Sequence, residues 1–348
     1  MRTIASALLL LVSISAFAQA PIPLPEASPA ATVSQTIGVT DVTVSYHRPA
    51  VNNRRIWGGQ VPYGEVWRAG ANENTTIAFS TPVKIEGQPL AAGTYGLHMI
   101  PTPAQFTVIF SKFANGWGSY MYDPSEDALR VTVAPQPVSD PQERLAYTFD
   151  DVTNNSATAA LRWEKLRVPF KISVDLPSTV QAAISDTLRT GKHWNADAWA
   201  SAARWELRNG NVDLASKYAD TALEMGSTFN TLLTKAAVLD KQGDAKGAAA
   251  LRDRAKSVAN EVELINYTTN SMKPPEAIAY LSGYMAAHPD STQSWRINAM
   301  LGDIYARQGE AAKAHEAFAK ALAATRSQTD RTEVYDYING VAAAGKYE

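Results

Sequence analysis

The sequence predicts an α+β protein of two domains, an antiparallel β-sandwich followed by an all-α superhelix of paired helices. Three observations carry this. Apolar residues alternate with period two from Thr32 to about Val174. The remainder is rich in Ala and poor in Pro. Gly210, Gly243 and Gly309 then stand 33 and 66 residues apart, the mark of a repeated unit. A length of 348 residues fits two domains. The 45% hydrophobic and 19% charged content is that of a globular chain and excludes disorder, collagen and coiled coil as the main class. Lys and Arg number 32 against 34 Asp and Glu, so no cationic excess exists to neutralise a nucleic-acid backbone. The absence of Cys removes disulfides, thiolate nucleophiles, zinc ribbons and the lipid-attachment Cys of a lipoprotein.

The elements follow in chain order. Met1-Arg2, the apolar run Ile4 to Phe17 and the small residues of Ala16-Phe17-Ala18 read as a secretory signal, cut after Ala18. The run is too short for the ~20 residues of a membrane span, and no later segment reaches that length, so an exported protein, periplasmic or outside the cell, is expected. Residues 19–27, with Pro21, Pro23 and Pro25, read as an extended tether. The sandwich is expected over 28–175. Val42, Val44 and Tyr46 alternate with polar residues, as do Tyr95, Leu97 and Met99, then Leu129, Val131 and Val133, then Ala159, Leu161 and Trp163, and finally Val168, Phe170, Ile172 and Val174. Turn signals at Glu86-Gly87, Ala92-Gly93, Pro101-Thr102-Pro103, Asn115-Gly116 and Asn154-Asn155 divide eight to ten short strands.

Arg48 to Asn74 does not read as strand. It holds Trp57, Trp67, Arg48, Arg54, Arg55, Arg68, Glu65 and Glu73, and a loop of that length is either functional or a packed Ω-like segment. Tyr46-His47-Arg48-Pro49, Arg55-Ile56-Trp57-Gly58-Gly59 and the run Val61 to Glu73 (VPYGEVWRAGANE) come in order. Gly93 to Pro101, Phe106 to Phe110, Trp117-Gly118-Ser119-Tyr120 and Leu129-Arg130-Val131 follow. Together they resemble the domain-of-unknown-function family 2911 (DUF2911), over about Ser28 to Val174. The resemblance implies a secreted bacterial protein with a β-sandwich, and it implies no activity.

Ser178 to Arg189 reads as a linker helix within 176–192, with Ser178 as its N-cap and Gly191 after its end. From 193 to 348 the period near 34 is that of the tetratricopeptide repeat. The last unit fits it best, with Leu301, Gly302, Tyr305, Gly309, Ala314, Phe318 and Ala321. Units before it keep Trp199, Ala203, Gly210, Ala215 and Ala222, then Leu232, Ala236, Gly243, Ala248 and Ala255. The unit between Asn260 and Pro289 is degenerate, with Pro274-Pro275 reading as a helix break, and Thr332 to Ala344 reads as a terminal capping helix.

Candidate sites divide between the two domains. In the sandwich, Arg48, Arg55 and Arg68 with Glu65, His47 and His98 form a possible ligand loop together with Trp57 and Trp67. The Arg residues suit an anion through their forked donors, or else hold the loop by bonding its carbonyls. Exposed Trp57, Trp67, Trp117, Tyr120 and Tyr122 would suit a glycan, whereas the competing reading is burial in the core. His47, His98 and Glu65 could meet as two imidazoles and a carboxylate, but no ligand spacing marks a metal site, and no nucleophile elbow or phosphate-binding glycine loop is present. In the repeats, register places Arg208, Lys241 and Arg307 in one column and Arg204 and Asp303 in another, a groove for an acidic or C-terminal peptide. The plain alternative is that these cations sit at helix ends, where the macrodipole favours them. The expectation is a non-catalytic interaction or scaffolding protein of the cell envelope with a protein or peptide partner, no cofactor and no nucleic acid, and with a glycan-binding or glycan-processing protein as the alternative.

Overall fold

A computed structural model describes residues 24–345. The expected signal, and the tether up to residue 23, lie outside the described residues. The chain divides into two compact units, with the boundary between Ala183 and Ile184.

The first unit is built from β1 (Ala30–Ile37), β2 (Thr40–His47), β3 (Thr76–Phe79), β4 (Val83–Ile85), β5 (Gln88–Leu90), β6 (Gly93–Pro101), β7 (Phe106–Ser111), β8 (Asp127–Val133), β9 (Gln136–Asp150) and β10 (Ser156–Ser173). Six strands form one sheet in the order β1-β2-β3-β6-β7-β8, and four form the other in the order β5-β4-β10-β9; every pairing is antiparallel. Alternation works as expected in β2, whose Val42, Val44 and Tyr46 are buried while Thr43, Ser45 and His47 are not. Val42, Val44, Ile77, Leu97, Met99 and Phe110 of one sheet share a core with Leu161, Trp163, Val168, Phe170 and Ile172 of the other. Phe110 meets Phe170 edge-on at 5.9 Å. The β4–β5 hairpin turns on Glu86 and Gly87, both at positive φ (48° and 82°), as a two-residue hairpin turn requires. Where short strands were expected throughout, β9 and β10 run 15 and 18 residues, with register shifts between Arg162 and Leu166 that let them bend without ending.

Helix α1 (Leu176–Arg189) spans the boundary between the units. It starts two residues before Ser178, and Asp175 is the capping group, accepting from the Ser178 N–H and hydroxyl.

The second unit holds α2 (Ala196–Arg208), α3 (Val212–Met225), α4 (Phe229–Gln242), α5 (Ala245–Val258), α6 (Glu261–Ser271), α7 (Pro274–Ala287), α8 (Ser294–Arg307), α9 (Ala311–Ala324) and α10 (Gln328–Ala343). Consecutive helices pair as α2/α3, α4/α5, α6/α7 and α8/α9, and α10 packs on α8 and α9, a tetratricopeptide-like arrangement. The three register glycines perform one task. Each sits at positive φ (84°, 87° and 79°) just past a first helix. The next residue's N–H then closes back on the helix, Asn211 to Glu206, Asp244 to Leu239 and Glu310 to Tyr305, each at 2.9 Å. The degenerate unit turns at Met272 and Lys273, and its two prolines open α7 at the first helical positions, where a missing N–H costs nothing. Small residues bring paired helices close: Ala203, Ala215 and Ala219 pack with Val238, and Gly302 lies under the Phe318 ring. The terminal helix begins at Gln328, earlier than expected, because Ser327 and Asp330 form a capping box.

Candidate functional site

The long loop is a packed segment. Ile56, Trp57 and Val61 join the sandwich core, and Trp57 meets Trp67, Trp163 and Phe106 edge-on at 5.3 to 6.0 Å. Trp67 stacks on Trp163 at 5.8 Å, its indole N–H donates to the Gly70 carbonyl, and its backbone exchanges two hydrogen bonds with Met99 of β6. Neither Trp57 nor Trp67 is a surface platform. Arg48 donates to the Leu145 carbonyl at 2.9 Å, and Arg54 to the Ala50 and Val51 carbonyls and to Gln60. Arg55 and Glu65 are exposed on the loop.

The two histidines are separated in role. His47 is half-buried and its Nε2 lies 3.5 Å from Glu26 and 3.4 Å from Glu73. His98 is 1% exposed, although it occupies the polar phase of β6. That phase is covered by the segment after β7. Gly96, two residues before His98, has no side chain, and a Cβ there would collide with the Phe113 carbonyl oxygen. The segment crosses the strand at that gap and returns with Ser119, whose hydroxyl lies 2.9 Å from His98 Nδ1. Burial, with a smaller push from Arg68, lowers the His98 pKa to about 4 against an opposing pull from Asp127. Tyr122 lies 5.1 Å from the His98 ring, donates to Asp127 and accepts from Arg130; burial and the Asp127 hydrogen bond push its pKa up to about 12. His47, His98 and Glu65 are thus not gathered, and among the described residues no group of three His, Asp or Glu is set to hold a metal.

Arg68 differs from the other arginines of the loop. Its Nη1 donates to the Asn72 carbonyl, and its guanidinium carbon lies 5.8 Å from the Tyr120 ring centre. Gly118 makes that approach possible: a Cβ there would stand 2.8 Å from the guanidinium carbon. Arg68, Val66, Trp67, Ser119 and Tyr120 line a pocket of about 190 Å³. Tyr120 is 79% exposed, and Trp117 and Met121 beside it are also exposed. The Ser119–His98 link joins residues 21 apart in sequence and has no local signature.

In the repeats, a groove of about 510 Å³ lies on the first-helix face, lined by Asn266 and Thr269 of α6, Met300, Asp303, Ile304 and Arg307 of α8, and Glu333, Asp336, Tyr337 and Gly340 of α10. Arg307 and Asp303 both reach it, but as a pair, Nε to carboxylate at 2.8 Å. Glu333 is held by Arg296 at 2.7 Å, and Asp336 is exposed. The groove therefore carries more carboxylate than cation, and of the expected column Arg208, Lys241 and Arg307 only Arg307 is among its lining residues. Arg208 lies against Trp205 in the last turn of α2, Lys241 is exposed in the last turn of α4, and Arg204 turns to Thr234 and Ser201.

Residues 28–172 match the model of a family described as proteins of unknown function, DUF2911. No curated protein matches the chain. Solved structures similar to the helical C-terminal region include pilF of Pseudomonas aeruginosa, 23% identical over 43% of this chain and 71% of that one, TM-score 0.27. YrrB, described as a TPR protein with an unusual peptide-binding site, is 18% identical over 44% and 83%, TM-score 0.24. The C-terminal part of a TPR repeat-containing protein from Cytophaga hutchinsonii is 19% identical over 47% and 75%, TM-score 0.29.

Proposed function

We propose that this chain, a DUF2911 domain followed by tetratricopeptide-like repeats, is an exported, non-catalytic interaction protein of the cell envelope that holds a protein partner in the groove of its second unit. The single observation behind this is the groove itself: an apolar floor of Met300, Ile304 and Tyr337 bordered by charge, between the first helices α6 and α8 and the terminal helix α10. The lining sets the chemistry of the partner. With Arg307 and Glu333 already paired and Asp336 open, the complement is a segment carrying Lys or Arg beside an apolar anchor, opposite in sign to the acidic peptide expected from sequence. A peptide array probed with the full chain and with Asp336→Lys tests it. Basic peptides should be retained by the wild type and lost about tenfold in the variant, a change of about 1.4 kcal/mol. Equal retention of every peptide by both proteins rejects the groove. Export is tested separately, by sequencing the N-terminus of the protein recovered outside the cytoplasm; Gln19 as the first residue supports it, and a protein retained inside with Met1 intact rejects it.

A glycan remains the second reading, favoured by Trp117 and Tyr120, which are 58% and 79% exposed on the sandwich.

A further inference from the structure

The pocket beside Arg68 has the parts of a binding site that neither the repeats nor the family match explains. Two segments that carry the family resemblance meet there, Val66 to Arg68 and Ser119-Tyr120, although some fifty residues separate them. Arg130, Arg167, Arg252, Arg296 and Arg307 are each paired with a carboxylate, whereas Arg48 and Arg54 of the same loop as Arg68 spend their donors on carbonyls and on Gln60. What sets Arg68 apart is the cavity it lines, with no carboxylate among the lining residues to neutralise it. Among the described residues none stands within ion-pair distance of Arg68, which spends one donor on the Asn72 carbonyl. A half-buried guanidinium without a counter-charge, facing a cavity, is electrostatically incomplete.

We propose that this pocket binds a monocarboxylate carried on a single six-membered ring, with Arg68 and the Ser119 hydroxyl meeting the carboxylate and Tyr120 covering the ring. The volume of about 190 Å³ limits the occupant to roughly one ring and its acid group. A monoanion fits better than a phosphate dianion because the pocket offers one cation. His98, behind Ser119, supplies no second positive charge at neutral pH, since its buried imidazole protonates only near pH 4. The site requires this neutral imidazole to carry its proton on Nδ1, so that it donates to the Ser119 oxygen, 2.9 Å away, and leaves the hydroxyl hydrogen free to donate to the carboxylate. The exposed faces of Tyr120 and Trp117 supply the apolar surface a ring requires. Two sources share this chemistry, an aromatic acid and a sugar acid. The second deepens the glycan reading above; the first would stand without it.

The experiment is titration of the full chain at pH 7 with benzoate, glucuronate, glucose and inorganic phosphate, followed by ligand-observed NMR. Saturable binding of benzoate, glucuronate or both is expected, at least tenfold weaker in Arg68→Gln and partly restored in Arg68→Lys, which keeps the charge and loses the fork. Binding of glucuronate alone identifies a sugar acid, and of benzoate alone an aromatic acid. Glucose bound as well as glucuronate would leave the glycan reading standing and overturn the carboxylate. Phosphate bound as tightly as either acid, or no saturable binding of either acid, overturns it too. Because Arg68 also braces the loop, Tyr120→Ala provides an independent check: its exposed ring makes no core contact, binding should weaken threefold or more with the melting temperature unchanged, and unaltered binding rejects the site.

Discussion

His98 shows how one residue's surroundings reverse its meaning. Its position on the polar phase of β6 marks it as a surface imidazole, and the loop crossing at Gly96 makes it a buried one. The folded pKa is about 4 against an ordinary 6.5, so between those values the unfolded chain binds more protons. The contribution of neutral His98 is fully present above pH 6.5, is lost progressively as pH falls, and stops changing below about pH 4. A shift of that size corresponds to about 3 kcal/mol at most. Denaturant unfolding of wild type and His98→Asn at pH 7 and pH 4.5 checks the sign: the wild type should lose more stability on acidification than the variant, and equal losses would show that His98 titrates normally. Tyr147 is a second case. Its hydroxyl, buried and donating to the Ala69 carbonyl at 2.9 Å, is held well above the ordinary tyrosine pKa by desolvation. Tyr147→Phe should cost about 1 kcal/mol, since Thr75 still serves the same carbonyl; a chemical-denaturation midpoint unmoved by the substitution would contradict that bond.

At the scale of elements, glycines separate those that a helix pair requires from those it merely tolerates. Gly302 of α8 lies against Phe318 of α9, and a Cβ there would stand 2.7 Å from the ring. Gly302→Ala should destabilise the pair by about 1–3 kcal/mol through overpacking. Gly283 of α7 is exposed with nothing within 4 Å of a Cβ, so Gly283→Ala should stabilise by up to about 1 kcal/mol through helix propensity. Thermal melts of the two variants should shift in opposite directions; shifts of the same sign would mean the α8/α9 contact is looser than described. Element starts were legible where a cap was local. Ser327 with Asp330 is such a signal and places the start of α10 ahead of Thr332, whereas Asp175 and Ser178 are both good capping residues and sequence does not say at which one the chain bends.

On the scale of the second unit, α10 closes the stack. Val334 and Val341 are fully buried against Trp295, Phe318 and Ala321, and Glu333, Asp336 and Tyr337 form one wall of the groove. Ending the chain after Ser327 should expose that apolar surface and remove the wall together. Increased binding of a hydrophobic dye with loss of basic-peptide retention is the expected result; a truncated chain that stays monomeric, dye-silent and fully binding would show that the groove lies elsewhere.

The order of a β-sandwich and a helical repeat, the glycine-marked hairpin turns and the alternating core of β2 were determined by the sequence by itself, because each depends on neighbours within one strand, one turn or one helical period. The candidate sites were decided only in three dimensions. Trp57 and Trp67 turned inward because the loop folds over the sheet, and Arg68 gained a cavity from a segment about fifty residues downstream. A site is a coincidence of groups from distant parts of the chain. Periodicity reports which way a side chain faces its own strand or helix, and it carries no information on what arrives from elsewhere to cover it, pair with it or leave it open.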